Sequence, residues 1–299
     1  WRYRSQILCT DSVLGLTHGN PIGSSAMLGH LRMDYSSYSG IALPGKGLTP
    51  FIGQINFNPG DQNAHLSFLA PENNLTDRAV LALLDHLCWE SGGRGAFRLL
   101  AEIEEDQPVF EMLRLSGFSV FARQQVWRFT NHQQNGEKNQ LWRSFQQIDQ
   151  HNLNSLYHAV VPPLVQGAEA MDKRRVQGYV HCIDGDLLAF VEVTSGPRGV
   201  FLTPIVHPDI REPEQLLSGL LRLLNSSNGR PLYLAVRDYQ SWLNSSAENL
   251  GGTPGDRKIM LVRHLIKQPR VSMPVTIRKV LEAHGTEPTS PIMRNATKK

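Results

Sequence analysis

Two side chains in the second half of the chain have the chemistry of proton transfer. Glu192 lies in the run Phe190–Thr194, where alternating apolar and polar residues predict a strand. A carboxylate that faces a cleft from such a strand could act as a general base, whereas one on a solvated strand face has no chemical role. His207 lies at the end of a second predicted strand and is another candidate base, or an inert histidine at a strand end.

Four acidic side chains lie at the end of a predicted strand in the first half and directly after it, at Glu102, Glu104, Glu105 and Asp106. Such a cluster could attract a cationic amine substrate. The alternatives are a solvated loop or the acidic start of a helix, where negative charge is favourable.

The elements that must position these residues belong to an ordinary globular chain. Its 299 residues suggest about two domains, and 40% of them are apolar and 19% charged. The formal net charge of +3 is too small to indicate a nucleic-acid partner. The three cysteines are far apart and form no CxxC pair, which indicates neither a metal site nor disulfides and favours a cytoplasmic location. No apolar run approaches the ~18 residues that a membrane helix needs.

An internal repeat orders the predicted elements. Each half has a buried strand, a helix, a second buried strand, a short helix ended by glycine, and a last strand. In the first half these elements are Ala64–Pro71, Ala79–Trp89, Phe97–Ile103, Pro108–Ser116 and Ser119–Phe129. In the second half they are Gly199–Pro208, Arg211–Leu224, Pro231–Asp238, Ser241–Leu250 and Lys258–Leu265.

Equivalent residues of the two halves keep a nearly constant spacing. Pro208 follows Pro71 by 137 residues, and Gly251 follows Gly117 by 134. Any α/β chain alternates strands and helices, so chance likeness is the alternative to a duplication. The shared proline and glycine favour a duplication.

Other elements complete the two halves. A strand is predicted at Phe51–Phe57, a hairpin at Gly178–Ile183 and Leu187–Thr194, and a helix at Trp142–Val161. Thr76 is the predicted N-cap of the first long helix, and Gly92-Gly93 its predicted end.

This order of elements resembles the GCN5-related N-acetyltransferase (GNAT) superfamily, here as two tandem copies over about residues 50–130 and 142–266. The segments that carry the resemblance are LSFLAP and FRLLAEIEEDQPVFEMLRLSGFSVF in the first half, and PIVHPDIR and LYLAVRDYQSWL in the second. The resemblance implies a mixed α/β fold of two GNAT-like domains, each with a largely antiparallel central sheet flanked by helices. We expect domains at residues 1–130 and 131–268, then a tail, 269–299, that is extended or disordered.

The resemblance also implies acyl-CoA-dependent transfer of an acyl group, such as acetyl, to an amine. In GNAT enzymes the fourth and fifth strands splay apart, and the pantetheine arm of acyl-CoA bonds to the freed backbone of the fourth strand. The next loop and helix start bind the pyrophosphate, because their amides are unpaired. The implied acyl-CoA contacts are Ile205, Val206 and Arg211 in the second half, with Ala70 and Asn74 in the first.

The phosphate-binding loop departs from the family pattern, which is about Gln/Arg-x-x-Gly-x-Gly/Ala. The first half has Glu72–Asp77 there, without glycine. The second half keeps Arg211, either a phosphate ligand or a surface arginine, and continues with Glu212-Pro213-Glu214. Proline removes one amide donor, and the glutamates repel a pyrophosphate. The active copy is nevertheless expected in the second half, because Arg211 and the residues around Pro208 match the opening of the family pattern there.

The family's tyrosine, which donates to the leaving sulfur four residues before the glycine of Gly-Phe, is also absent. Leu113 and Ala247 stand at that position, and neither can donate a hydrogen bond. Tyr239, at a different spacing, is the candidate substitute.

Two other functions fit the sequence. Both copies could have lost the acyl-CoA, which would leave a catalytically dead binding or scaffold module. A FemX-like aminoacyl transferase shares the tandem architecture but usually has a longer chain. The partner expected for the enzyme is a small-molecule or peptide amine, with no metal, nucleic acid or membrane, and a homodimer is possible.

Overall fold

The computed structural model describes residues 3, 5–20, 36–45, 49–130, 141–169, 177–224 and 229–265. Its strands are β1 (Leu8–Cys9), β2 (Ser36–Ala42), β3 (Phe51–Phe57), β4 (Asn63–Ala70), β5 (Arg98–Glu104), β6 (Ser119–Phe129), β7 (Arg143–Ser144), β8 (Gly178–Ile183), β9 (Asp186–Ser195), β10 (Val200–Val206), β11 (Leu232–Arg237) and β12 (Thr253–His264). Its helices are α1 (Ser12–Thr17), α2 (Ala79–Arg94), α3 (Phe110–Leu115), α4 (Gln150–Val160), α5 (Pro163–Ala168), α6 (Pro213–Leu224) and α7 (Leu243–Asn249). The polar segment Thr130–Asn139, which has no apolar periodicity and is expected to be a linker, lies outside the described residues except for Thr130, and so does the expected tail, 269–299.

All twelve described strands form one sheet, in the order β2-β3-β4-β5-β12-β6-β11-β10-β9-β8-β7, with β1 paired to β4. The pairs β4/β5 and β10/β11 are parallel, and the other described pairs are antiparallel. At the centre the last strands of the two halves cross over. β12 of the second half pairs with β5 of the first, and β6 of the first half pairs with β11 of the second. The halves therefore share one continuous sheet.

The repeat inferred from the sequence is visible in the register of the parallel pairs. Residues 63–65 pair with 98–100 in the first half, and residues 200–202 pair with 232–234 in the second. The paired residues of β4 and β10 are 137 apart in sequence, and those of β5 and β11 are 134 apart, as in the sequence repeat. Gly117 and Gly251 both end a helix with a positive φ, +82° and +79°, which glycine adopts without steric cost. The predicted fold class is confirmed as a mixed α/β fold with a mostly antiparallel sheet flanked by helices.

Each half has its own apolar core on one face of the sheet. Leu83, Leu84 and Leu87 of α2 pack on β3, β4 and β5 in the first half. Leu217, Leu220 and Leu221 of α6 do the same on β10 and β11 in the second. On the other face, α4 and α5 cover a third cluster that takes residues from both halves.

The helix predicted at Trp142–Val161 begins later, at Gln150. The Trp142 indole is buried and donates to the Leu216 carbonyl at 2.8 Å, and Arg143–Ser144 pair with β8. This segment is extended because its tryptophan is anchored in the core of the second half. The apolar spacing alone did not distinguish that anchor from a helical face.

The ends of α2 also differ from the prediction. The helix starts at Ala79, and the N-cap position is Arg78 and not Thr76. Gly92 and Gly93 lie within the helix, which ends at Gly95 with φ +103°. Only Gly95 takes the left-handed conformation that closes the helix, so the later glycine sets its end. None of the described helices is both long and apolar enough to cross a membrane.

Candidate functional site

In each half, one parallel strand pair separates partway along its length. We call the gap between β4 and β5 beyond His65 and Leu100 the first cleft, and the gap between β10 and β11 beyond Leu202 and Leu234 the second cleft. Past these residues both strands of each pair continue without pairing to each other. Separation leaves the backbone groups on the facing edges in need of other partners.

Residues of the chain's own amino-terminal segment fill the first cleft. Leu8 and Cys9 pair with Leu69 and Phe68 of β4. The Thr10 N–H donates to the Ser67 carbonyl at 3.0 Å, and the Glu102 N–H of β5 donates to the Thr10 carbonyl at 3.0 Å. The segment thus bridges both strands. Its Leu8 and Thr10 side chains are buried.

In the second cleft, one side chain forms hydrogen bonds to the backbone groups at the edge of β10. Gln240 lies on a 3-10 turn, Asp238–Gln240, just after β11, and it is fully buried. Its Nε2 donates to the Pro204 carbonyl at 2.9 Å, and its Oε1 accepts from the Val206 N–H at 2.7 Å. The Gln240 carboxamide therefore bonds to β10 as a strand amide would.

These two occupants differ greatly in how hard they are to displace. Gln240 makes two hydrogen bonds, each contributing a net ~0.5–1.5 kcal/mol. The amino-terminal segment makes several backbone bonds and also buries Leu8, and burying one leucine side chain contributes a further ~1.5–3 kcal/mol. A ligand could compete with one glutamine far more readily than with a paired strand.

A polar network fixes the amino-terminal segment at the centre of the sheet. Glu102 accepts from the Ser12 N–H at 3.1 Å and also from the Gln124 amide. Lys258 donates to the Ser12 hydroxyl at 2.9 Å. Asp11 caps α1 by accepting from the Leu14 N–H at 3.0 Å, and burial raises the pKa of its carboxyl. The network crosses from β5 to β12 and β6, so it anchors the segment to both halves.

A second polar cluster lies at the end of β11, under α4 and α5. Arg237 is buried and donates through Nη2 to both carboxylate oxygens of Glu169, at 2.9 and 3.2 Å. The Tyr157 hydroxyl donates to the Glu169 carbonyl at 2.6 Å. Burial raises the pKa of Tyr157 to about 12 and also raises that of Tyr239, which the Arg237 charge opposes. Both hydroxyls therefore keep their protons at neutral pH.

The structure puts the predicted base Glu192 level with the start of the second cleft. Glu192 is exposed on β9 and is the cross-strand partner of Thr203, the first residue of β10 beyond the pairing with β11. Phe190, two residues earlier on β9, packs against α4 and α5, so Glu192 lies on the same face of the sheet. His207 is at the other end of the cleft, with Nδ1 3.4 Å from Asp209.

The predicted acyl-CoA contacts of the second half lie along the edge of the cleft and the loop after it. Ile205 is buried, with Tyr239 in the same apolar cluster. Val206 is buried and gives its N–H to Gln240. Arg211 is exposed just before α6. The structure therefore brings Ile205, Val206 and Tyr239 to one cleft.

The contacts predicted for the first half have different surroundings. Ala70 is fully buried in a cluster with Tyr3 and Phe68. Asn74 is exposed at the end of a 3-10 turn. The Asp77 carboxylate accepts from the Ala79 N–H at 2.7 Å, so the chain's own carboxylate occupies the start of α2.

The acidic cluster of the sequence divides into two parts. Glu102 is buried in the central network, whereas the other three acids line an open cavity of about 450 Å³ with Asp256 and Arg257. Arg123 pairs with Glu105 at 3.0 Å. The described residues contain no group of three or more metal-binding side chains placed to hold an ion.

No local pattern in the sequence marks the residues that occupy the two clefts. β1 is only two residues long, so it has no periodicity to detect. Gln240 follows the predicted strand directly, but nothing local indicates that its amide turns back to β10. Arg237 and Glu169 are 68 residues apart, and their pairing depends on tertiary packing.

No protein-family model and no curated protein matches the sequence. Several solved structures are similar in fold. A GCN5-related N-acetyltransferase from Kribbella flavida is 12% identical with a TM-score of 0.49, over 79% of this chain and 92% of that one. One from Sphaerobacter thermophilus is 10% identical with a TM-score of 0.47, over 88% and 98%. A tandem GNAT protein from the clavulanic acid biosynthesis pathway, without acetyl-CoA, is 13% identical with a TM-score of 0.46, over 84% and 93%.

Proposed function

We propose that this chain is an acyl-CoA-dependent N-acyltransferase whose acyl-CoA site is the second cleft. The observation that carries the proposal is the separation of β10 from β11 after Leu202 and Leu234. The edge of β10 beyond that point presents the Pro204 carbonyl and the Val206 N–H, the two group types that a secondary amide of a ligand can bond. An amide, that of Gln240, already bonds there.

The occupied first cleft supports placing the active copy in the second half. Residues 8–10 are bonded to both strands of the first cleft, and Asp77 caps the start of α2. A ligand in the first half would have to displace a strand and a carboxylate. In the second half it has to displace only the side chain of Gln240.

The proposed roles of the second-half residues follow from their positions. Ile205 and Val206 form the strand edge that binds the acyl-CoA. Arg211 is two residues before α6 and is assigned to the phosphates of the acyl-CoA, because the start of a helix binds anions. Glu192 lies level with the start of the cleft, on the face covered by α4 and α5, and takes a proton from the acceptor amine. Tyr239 keeps its proton and is the donor for the leaving group. His207 is a second candidate base.

The reaction balances with these groups and solvent. The nitrogen of the neutral amine forms a bond to the acyl carbon, and the bond from that carbon to sulfur breaks. The amine gives up one proton, to Glu192, and the departing sulfur receives one, from Tyr239. Exchange with solvent then takes the proton from Glu192 and returns one to Tyr239. The products are an amide and free CoA, and no electrons are exchanged with any other group.

Thermal unfolding of the full chain with millimolar acetyl-CoA tests the proposal. Acetyl-CoA is expected to raise the Tm, and Arg211→Ala to reduce that shift. Arg78→Ala is the matched control, because Arg78 is an exposed arginine in the equivalent loop of the first half. No shift with acetyl-CoA in the wild-type chain, or an equal loss in both variants, would refute the assignment.

A catalytically dead binding or scaffold module is the second candidate function. The observation that favours it is that both clefts have their backbone groups bonded within the chain. Light scattering of the purified chain, combined with the acetyl-CoA measurement, discriminates the two. A stable oligomer that ignores acetyl-CoA would favour the scaffold.

Four expectations from the sequence belong to the same proposal. They are a boundary between domains near residue 130, a cytoplasmic location, a small-molecule or peptide amine as acceptor, and a homodimer. Light scattering also measures the last of these.

A further inference from the structure

The ion pair of Arg237 with Glu169 leaves one buried donor of the guanidinium unused. Nη2 of Arg237 contacts both carboxylate oxygens of Glu169. Nη1 is also buried, yet it has no hydrogen-bond partner in the described part of the chain. The Arg237 side chain is only 8% exposed. A buried N–H without an acceptor is unfavourable, so an unpaired donor here points to an oxygen supplied by a ligand.

The residue that carries the unused donor is close in sequence to two residues of the second cleft. Arg237 is the last residue of β11, two residues before Tyr239 and three before Gln240. Gln240 bonds to the edge of the second cleft, and Tyr239 packs in the same apolar cluster as Ile205. The Glu169 carboxylate is 26% exposed, so solvent reaches the cluster from that side.

The charges around Arg237 decide which kind of oxygen fits. Glu169 already neutralises the guanidinium, and Glu102 of β5 adds a second negative charge close enough to act on it. A bound carboxylate would bring a third negative charge into a buried site, which costs far more than a neutral group. A neutral carbonyl oxygen would satisfy the donor without changing the net charge.

We propose that Arg237 Nη1 binds a neutral carbonyl oxygen of the acceptor, so that the acceptor is an amine carrying an amide, such as a peptide amino terminus or an amino-acid amide. This inference rests on the proposed function. The site therefore prefers an amide acceptor to a free amino acid, because Glu169 and Glu102 repel the carboxylate of the free acid. The cationic amine of either kind of acceptor would be attracted by the same two acids.

Matched acceptors test the inference on the full chain. Release of the CoA thiol from acetyl-CoA is measured with phenylalaninamide against phenylalanine, and with lysinamide against lysine. The amides are expected to have kcat/KM at least about tenfold higher, since one hydrogen bond to a charged group is worth a factor of that order. In Arg237→Lys, which keeps the charge and loses the second nitrogen, KM for the amides is expected to rise with little change in kcat.

Arg263→Lys is the control variant, because Arg263 of β12 pairs at 2.6 Å with Asp85 of α2, a helix of the first half. It is expected to keep the preference for amides. Equal use of amides and free acids, or a preference for free acids, would overturn the inference. A preference unaffected by Arg237→Lys would overturn it as well, since another residue would then hold the carbonyl.

Two further readouts separate the inference from the proposed function. Stabilisation by acetyl-CoA without a preference for amides leaves the proposed function standing and refutes only the inference. If acetyl-CoA does not stabilise the chain, the proposed function fails. Binding of phenylalaninamide alone, followed by saturation-transfer NMR, then decides: binding lost in Arg237→Lys supports the carbonyl site, and no binding refutes it.

Discussion

Replacing Gln240 by methionine tests two effects expected of its carboxamide. The carboxamide stabilises the chain without ligand, and it competes with acetyl-CoA for the edge of β10. Methionine has a similar length and volume but neither donates nor accepts a strong hydrogen bond. The change leaves the Pro204 carbonyl and the Val206 N–H buried without their partner. Two such groups cost about 2–4 kcal/mol in the free energy of unfolding. For a unit of this size, the Tm without ligand is expected to fall by roughly 4–16 °C.

The same change should strengthen the binding of acetyl-CoA. In the wild-type chain a ligand must displace Gln240 before it can bond to the edge of β10. The methionine variant has those groups free, and 2–4 kcal/mol corresponds to an upper limit of about 30- to 700-fold in affinity. We therefore expect a lower Tm without acetyl-CoA and a larger shift with it, both measured by differential scanning calorimetry.

Gln124→Met is the matched control for this experiment. Gln124 is also a buried glutamine and is the cross-strand partner of Arg237, but its amide donates to Glu102 in the central network and not to the edge of β10. It should lower the Tm without enlarging the shift caused by acetyl-CoA. If Gln240→Met and Gln124→Met give the same acetyl-CoA shift as the wild type, Gln240 does not compete with the ligand, and the reasoning from the second cleft is wrong.

Three predictions concern stability and use urea unfolding. Thr10→Val removes the buried hydrogen bond of 2.7 Å from the Thr10 hydroxyl to the Leu66 carbonyl. The free energy of unfolding should fall by about 1–2 kcal/mol, and the Tm shift caused by acetyl-CoA should not change. A changed shift would mean that acetyl-CoA binds in the first cleft. Hydrogen bonds from Arg143 lower the pKa of Asp149 below its ordinary value of 3.8. The stabilisation that ionised Asp149 gives to the folded chain is therefore present above pH 3.8 and is lost as the pH falls through the lowered pKa. Asp149→Asn should therefore cost about 1–2 kcal/mol near neutral pH and progressively less in acid, and a difference independent of pH would contradict this. Gly251→Ala should cost about 1 kcal/mol through its positive φ alone, because nothing lies within 4 Å of the added methyl group; no loss of stability would show that the turn relaxes.

Much of the fold followed from local patterns. The strand Phe51–Phe57 and the hairpin of β8 and β9 lie where alternation and turn residues predicted them, within one residue. The spacing of 137 and 134 residues also relates the register of one parallel pair to that of the other. Where the prediction was wrong, at the start of α4 and the end of α2, a buried tryptophan and a later glycine outweighed the apolar periodicity.

The candidate site could be located from the sequence only as far as its edge. Glu192, Ile205, Val206 and Tyr239 were all named from strand alternation or from the resemblance, and the structure brings them around one cleft or level with it. Arg237 was not named, because a charged residue that ends a strand looks solvated until its distant partner Glu169 is known.

The sequence by itself determined the order of elements and its recurrence in the second half, because turns, caps and apolar periodicity act between residues that are close along the chain. Only the tertiary structure decided what fills each cleft: a strand from residues 8–10 in the first half, and the side chain of Gln240 in the second. The backbone groups at a cleft edge accept any amide of suitable geometry. Which amide reaches them is set by packing across the whole sheet, and no local pattern records it.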